Sequence, residues 1–173
     1  MRLLLLIAFF SLSNLYALAQ DDSNIQSIDT LAPFQKTKVI PTFSIQQPDS
    51  TWFFNTNLRE KTPVLILYFS PDCGHCQLET DEILGHINKL QNLQIVMVTS
   101  RSFEDMVTFA ARYKIYKFPT IVMGRDPSYI FSKYYNVKFT PFSALYNNRG
   151  KLVKYYTKGI DMNELIEIAK LKK

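Results

Sequence analysis

Val64-Leu65-Ile66-Leu67-Tyr68-Phe69-Ser70-Pro71-Asp72-Cys73-Gly74-His75-Cys76 is the stretch that decides how this chain folds. Its first half is a continuous apolar run bounded by Pro63 and Pro71, the pattern of a central strand covered on both faces. Its second half is a C-x-x-C that uses both cysteines of the 173-residue chain. A helical pattern follows. A cysteine at a helix start meets unsatisfied backbone N–H groups and the positive end of the helix dipole, which favour the nucleophilic thiolate. Thiols at this spacing can close a disulfide, open it and pass it on. Two other readings stand beside redox chemistry. A passive staple would close only a very small loop and constrain little. A zinc site needs four ligands, and the chain offers Cys73, Cys76, His75 and the distant His86.

Downstream, Gln94-Ile95-Val96-Met97-Val98-Thr99 is a second buried-strand pattern. The order strand, helix, strand predicts a parallel crossover unit. On the intervening helix, Ile83, Ile87 and Leu90 define an apolar face. Stepping back along that face reaches Glu79 and then Cys76. A carboxylate is therefore expected on the buried side, with a raised pKa, able to shuttle a proton for the second thiol. An ordinary exposed helical glutamate is the alternative. His75, when protonated, would favour the neighbouring thiolate.

Farther out, Val39–Ile45 and Thr51–Phe54 read as short strands of a hairpin around Gln47-Pro48-Asp49-Ser50. Ser102 with Asp105 announces a helix whose apolar face is Phe103, Met106, Val107 and Ala110. Phe118–Val122 follows, then a short helical stretch over residues 128–135. Pro141–Tyr146 and Lys151–Tyr156 flank Asn147-Asn148-Arg149-Gly150, a hairpin signature. Asp161 and Glu164 open a last helix. Together these compose an α/β sandwich with a central mixed sheet flanked by helices and an N-terminal β-hairpin extension.

Met1-Arg2, the apolar run Leu3–Phe10 and the ending Ala17-Leu18-Ala19 read as a signal peptide over residues 1–19, cleaved on export; an uncleaved N-terminal anchor is the other reading. Residues 20–32 are polar and read as a flexible tether, followed by one domain over 33–173. An apolar fraction of 47% fits a globular chain. The net charge of +5 is spread along the sequence without a dense Lys/Arg run, so no nucleic-acid partner is expected.

With these residues in place, the chain resembles the thioredoxin fold, and within it the TlpA/ResA-like thiol–disulfide oxidoreductases of the bacterial cell envelope. The resemblance runs from about Pro33 to the C-terminus. It implies Cys73 as the attacking cysteine, Cys76 as the resolving one, and Glu79 as the glutamate three residues further on. It also implies that Val137-Lys138-Phe139-Thr140-Pro141 is the segment whose cis-proline faces the cysteines, with the backbone at Thr140 and Pro141 binding substrate. Phe118-Pro119-Thr120 is a competing proline segment, and Pro141 is preferred because it directly precedes the strand–turn–strand–helix ending. The implied activity is exported thiol–disulfide exchange with protein thiols or disulfides, by a monomer, without a dissociable cofactor. A membrane electron-transfer partner in the periplasm or envelope would regenerate the dithiol. Three features depart from the pattern. The Gly74-His75 pair resembles protein disulfide isomerases more than ResA, which leaves both directions of electron flow open. Asp72, a negative neighbour of Cys73, would oppose a low thiolate pKa. Leu67 stands where ordinary thioredoxins carry a buried aspartate. A peroxiredoxin-like thiol peroxidase and a metal-carrying chaperone are the alternatives. The peroxidase motif would need proline at 66 and threonine at 70, where the sequence has Ile66 and Ser70.

Overall fold

The computed structural model describes residues 30–170. The expected signal peptide and most of the tether lie outside the described residues. The compact unit begins at Leu31, and Ala32 is already buried. Seven strands form one mixed sheet in the order β2-β1-β5-β4-β3-β6-β7. They are β1 Ser44–Gln46, β2 Trp52–Phe54, β3 Val64–Tyr68, β4 Gln94–Thr99, β5 Ile121–Arg125, β6 Phe142–Tyr146 and β7 Leu152–Tyr156. The helices are α1 Pro33–Thr37, α2 Gly74–Gly85, α3 Phe103–Arg112, α4 Ile130–Tyr135 and α5 Met162–Lys170.

β3 is central and wholly buried, as its unbroken apolar run predicts. It pairs parallel with β4 and antiparallel with β6. Strand side chains alternate between faces. Leu65, Leu67 and Phe69 therefore join one core with Cys76 and Ile83 of α2, Met106 and Phe109 of α3, and Leu165 of α5. Val64, Ile66 and Tyr68 join a second core on the opposite face, with Phe34 of α1 and Phe131 and Tyr135 of α4. The sheet is thus sandwiched between two helical layers, as expected for the fold class, and the N-terminal hairpin pairs antiparallel with β5.

Several element boundaries differ from the sequence reading. The helix expected to carry Ile83, Ile87 and Leu90 together ends at Gly85, and residues 87–89 form a 3₁₀ turn. All three side chains are nevertheless buried. The expected strand over residues 39–45 shrinks to β1, leaving only a bridge between Val39 and Lys151. α1 has no counterpart in the sequence reading. It is five residues long, its N-cap Ala32 offers no side-chain cap, and packing of Phe34 against Tyr135, Phe142 and Tyr155 holds it in place. Helices this short are not stable alone. The capping signals read from sequence do hold: Ser102 Oγ accepts from Asp105 N at 3.0 Å, and Asp161 Oδ1 accepts from Asn163 N and Glu164 N. In the β6–β7 turn, Gly150 adopts a φ of +68°, the left-handed conformation glycine takes most easily.

Candidate active site

β3 delivers the chain to the site. Phe69 N–H still donates to Val98 O at 2.9 Å, and the backbone then turns, with Cys73 N–H donating to Ser70 O at 3.1 Å. Cys73 is the N-cap of α2, in extended conformation. Gln77 Nε2 ties the turn to the helix through Pro71 O at 2.9 Å. An added Cβ at Gly74 would meet nothing within 4 Å, so the backbone beside Cys73 is uncrowded.

The two cysteines are free thiols in unlike surroundings. Cys73 is half-buried, whereas Cys76 is completely enclosed. Burial pushes the Cys76 thiol up to about 12, and the neighbouring Cys73 adds to the shift. For Cys73, partial burial also works against the charged form. The Cys76 thiol and the backbone N–H groups of Cys76 and His75 outweigh it, and hold Cys73 below the ordinary thiol value. Donation from a helix start is the cause that the sequence suggested. His75 is exposed beside the pair.

The second wall comes from the loop before β6. Cys73 Sγ contacts Thr140 O at 3.6 Å, and the Thr140–Pro141 bond is cis. It is the only cis bond among the described residues, so Pro119, the competing proline, is trans. Pro119 instead opens onto an apolar cleft shared with Pro48 and Tyr116. Sixty-seven residues separate Cys73 from Thr140. The antiparallel register of β3 with β6, in which Tyr68 lies opposite Phe142, brings them to the same end of the sheet.

Glu79 lies on the inward face of α2, one turn after Cys76, and is only 8% exposed. Ser143 Oγ of β6 donates to its Oε1 at 3.4 Å, a long contact, and Oε2 has no hydrogen-bond partner. Burial raises the carboxyl to about 7, and the Ser143 hydroxyl and Ile160 backbone pull it back only in part. Ser143 lies directly opposite Leu67 in the sheet, so the serine is the polar group on this stretch of the sheet that reaches the carboxyl. Sequence reasoning missed it, because Ser143 is one polar residue in an otherwise apolar strand and its partner is 64 residues away.

Asp72 departs from expectation. Its carboxylate is not an uncompensated neighbour of Cys73: Arg101 donates to Oδ2 at 2.6 Å, and the Ser70 hydroxyl holds Oδ1. Arg101 was also missed, since no local pattern links it to residue 72.

A cleft of about 510 Å³ opens beside the cysteines, between α2 and the turn before α5. His75, Leu78, Glu79, Pro141, Lys158 and Ile160 are among its walls. Among the described residues, no group of three or more His, Cys, Asp or Glu side chains is placed to hold a metal ion. No helix among them is long and apolar enough to cross a membrane.

Known proteins share this architecture. A secreted disulfide oxidoreductase of Mycobacterium tuberculosis, described as homologous to Escherichia coli DsbE, superposes with a TM-score of 0.61 at 18% identity, over 73% of this chain and 93% of that one. A thiol-disulfide oxidoreductase of Bacteroides fragilis gives 0.61 at 14% identity, over 75% and 98%. A peroxiredoxin-like protein of Aquifex aeolicus gives 0.62 at 13% identity, over 77% and 84%. At these identities the likeness is one of fold. In sequence, 28% identity over 109 residues links the chain to a protein disulfide-isomerase of Schizosaccharomyces pombe, covering 57% of this chain but only 30% of that protein. The thioredoxin family model matches residues 43–138, more than half of the sequence, and the chain belongs to the thioredoxin family.

Proposed function

We propose that this chain is an exported thiol–disulfide oxidoreductase of the TlpA/ResA-like kind, acting on protein thiols and disulfides through Cys73 and Cys76. The unlike environments of the two sulfurs carry this reading: one is half-exposed with its thiolate favoured, the other is enclosed and held as a thiol.

In the reductive direction, the Cys73 thiolate attacks one sulfur of a substrate disulfide. The Cys73–substrate bond forms, the substrate S–S bond breaks, and the other substrate sulfur leaves as a thiolate. Cys76 then gives its proton to the Glu79 carboxylate and attacks Cys73 Sγ. The Cys73–Cys76 disulfide forms and the second substrate thiolate departs. Two electrons have passed from the chain to the substrate. A carboxyl with a pKa near 7 can take and return that proton around neutral pH. His75, when protonated, adds positive charge beside the Cys73 thiolate. The backbone at Thr140 and Pro141, against the Cys73 sulfur, offers an edge for an extended substrate strand. The cysteine pair itself carries the electrons, so the reaction uses no dissociable cofactor. A membrane electron-transfer protein restores the dithiol, and the chain acts as a monomer in the periplasm or envelope. N-terminal sequencing from the envelope fraction tests export, with Gln20 expected first and Met1 contradicting it.

Insulin-disulfide reduction by excess dithiothreitol tests the activity. The wild-type chain should accelerate it catalytically, and Cys73→Ser should run at the uncatalysed rate. A wild-type chain no faster than the uncatalysed reaction would overturn the assignment.

A further inference from the structure

Arg101 occupies the turn between β4 and α3, and the structure fixes that turn from several directions. Arg101 N–H donates to Thr99 Oγ1 at 3.2 Å, Arg125 Nε donates to Arg101 O at 2.9 Å, and Tyr68 OH donates to Ser100 Oγ at 2.9 Å. From this base the guanidinium reaches Asp72 Oδ2 at 2.6 Å. The Ser70 hydroxyl donates to the other carboxylate oxygen, and Ser70 O accepts the Cys73 N–H. A continuous set of contacts therefore runs from β4 and β5 to the residue before the sulfur. Asp72 is held below the usual carboxylate range, by the Ser70 hydroxyl first and Arg101 after it, so it is charged wherever a thiol titrates. The pair is more than half exposed on both sides, and such pairs add little to stability. Its interest lies in its place in the chain, because Asp72 directly precedes Cys73.

We propose that Arg101 is a positioning residue for the Cys73 sulfur: braced by the β4–α3 turn, it cancels the Asp72 carboxylate that would otherwise stand uncompensated one residue before the nucleophile. This rests on reading Cys73 as the attacking thiol. The other groups around Cys73 are His75 and Cys76 from α2 and the Thr140 carbonyl, with Glu79 one turn beyond Cys76. Glu104, Asp105 and Arg112 of α3 border the Asp72–Arg101 pair. With Asp72 these make three carboxylates against the guanidiniums of Arg101 and Arg112, so removing Arg101 deepens an already negative surround and disfavours the thiolate.

The test uses the reduced full chain in a Cys76→Ser background, so that Cys73 is the only thiol. A neutral alkylating reagent reads its reactivity against pH. Arg101→Gln should slow alkylation about three- to tenfold below neutral pH and move the profile to higher pH. The greater intrinsic nucleophilicity of a more basic thiolate trims the loss, and added salt should shrink the difference. Adding Asp72→Asn to Arg101→Gln should restore the wild-type profile, and Arg101→Lys should fall between. A profile for Arg101→Gln that overlays the wild type would overturn the proposal. So would a double variant as slow as Arg101→Gln, because a merely structural loss is not repaired by removing a charge. Alkylation reads the thiol directly, so this outcome is independent of whether the wild-type chain turns over insulin.

Discussion

Glu79 is buried with one carboxylate oxygen unpartnered, and this has a measurable effect on stability. The folded chain holds the carboxyl at about 7 against an ordinary 4.5. Below the lower value both folded and unfolded chains carry the proton, and the titration of Glu79 takes nothing from stability. Between the two values the unfolded chain ionises first, so stability falls as pH rises, and above about 7 the full penalty is present. Glu79→Gln removes the titration. In the reduced protein it should raise the unfolding free energy near pH 8 by on the order of 3 kcal/mol and change it little near pH 4. Urea titrations at the two pH values check this. Equal midpoint shifts at both would mean that Glu79 does not titrate in this range. The helix phase that placed Glu79 inward was readable because it depends on spacing within α2. Its contact with Ser143 and the pairing of Asp72 with Arg101 were not, because each joins residues that only the sheet brings together.

At the scale of elements, burial on both faces explains what was legible. β3 and β4 announce themselves as unbroken apolar runs because nothing on either side demands a polar residue. The N-terminal hairpin is less clear, since β2 is largely exposed and β1 meets β5 at one paired position, Gln46 with Arg125. Its seat depends on Gly124. A Cβ added there would lie 2.7 Å from Ile45 Cγ1 and 2.8 Å from Ile45 Cβ, and Ile45 is fully buried. Gly124→Ala should therefore force β1 away from β5 and cost about 1–3 kcal/mol, visible as a lower urea midpoint. An unchanged midpoint would show that the contact gives way freely. α1 escaped the sequence reading for the opposite reason: its helix is too short to carry a periodic signal, and its stability lies in the ring contacts of Phe34.

In the whole molecule, the sheet order explains why a C-x-x-C and a proline 65 residues later make one site. β3 and β6 are neighbours, and their connections place the start of α2 and the Thr140–Pro141 bond at one end of the sheet. That arrangement exposes one sulfur and encloses the other, and the proposed reaction follows from the difference. The most direct measurement is to trap the intermediate. Cys76→Ser, reduced and mixed with a protein disulfide, should accumulate a covalent adduct through Cys73 that dithiothreitol releases, while the wild-type chain should hold almost none because Cys76 resolves it. Intact-mass spectrometry under non-reducing conditions reads both. An adduct as abundant in the wild type as in Cys76→Ser, or one that forms equally fast through Cys76 in Cys73→Ser, would contradict the assigned roles of the two sulfurs.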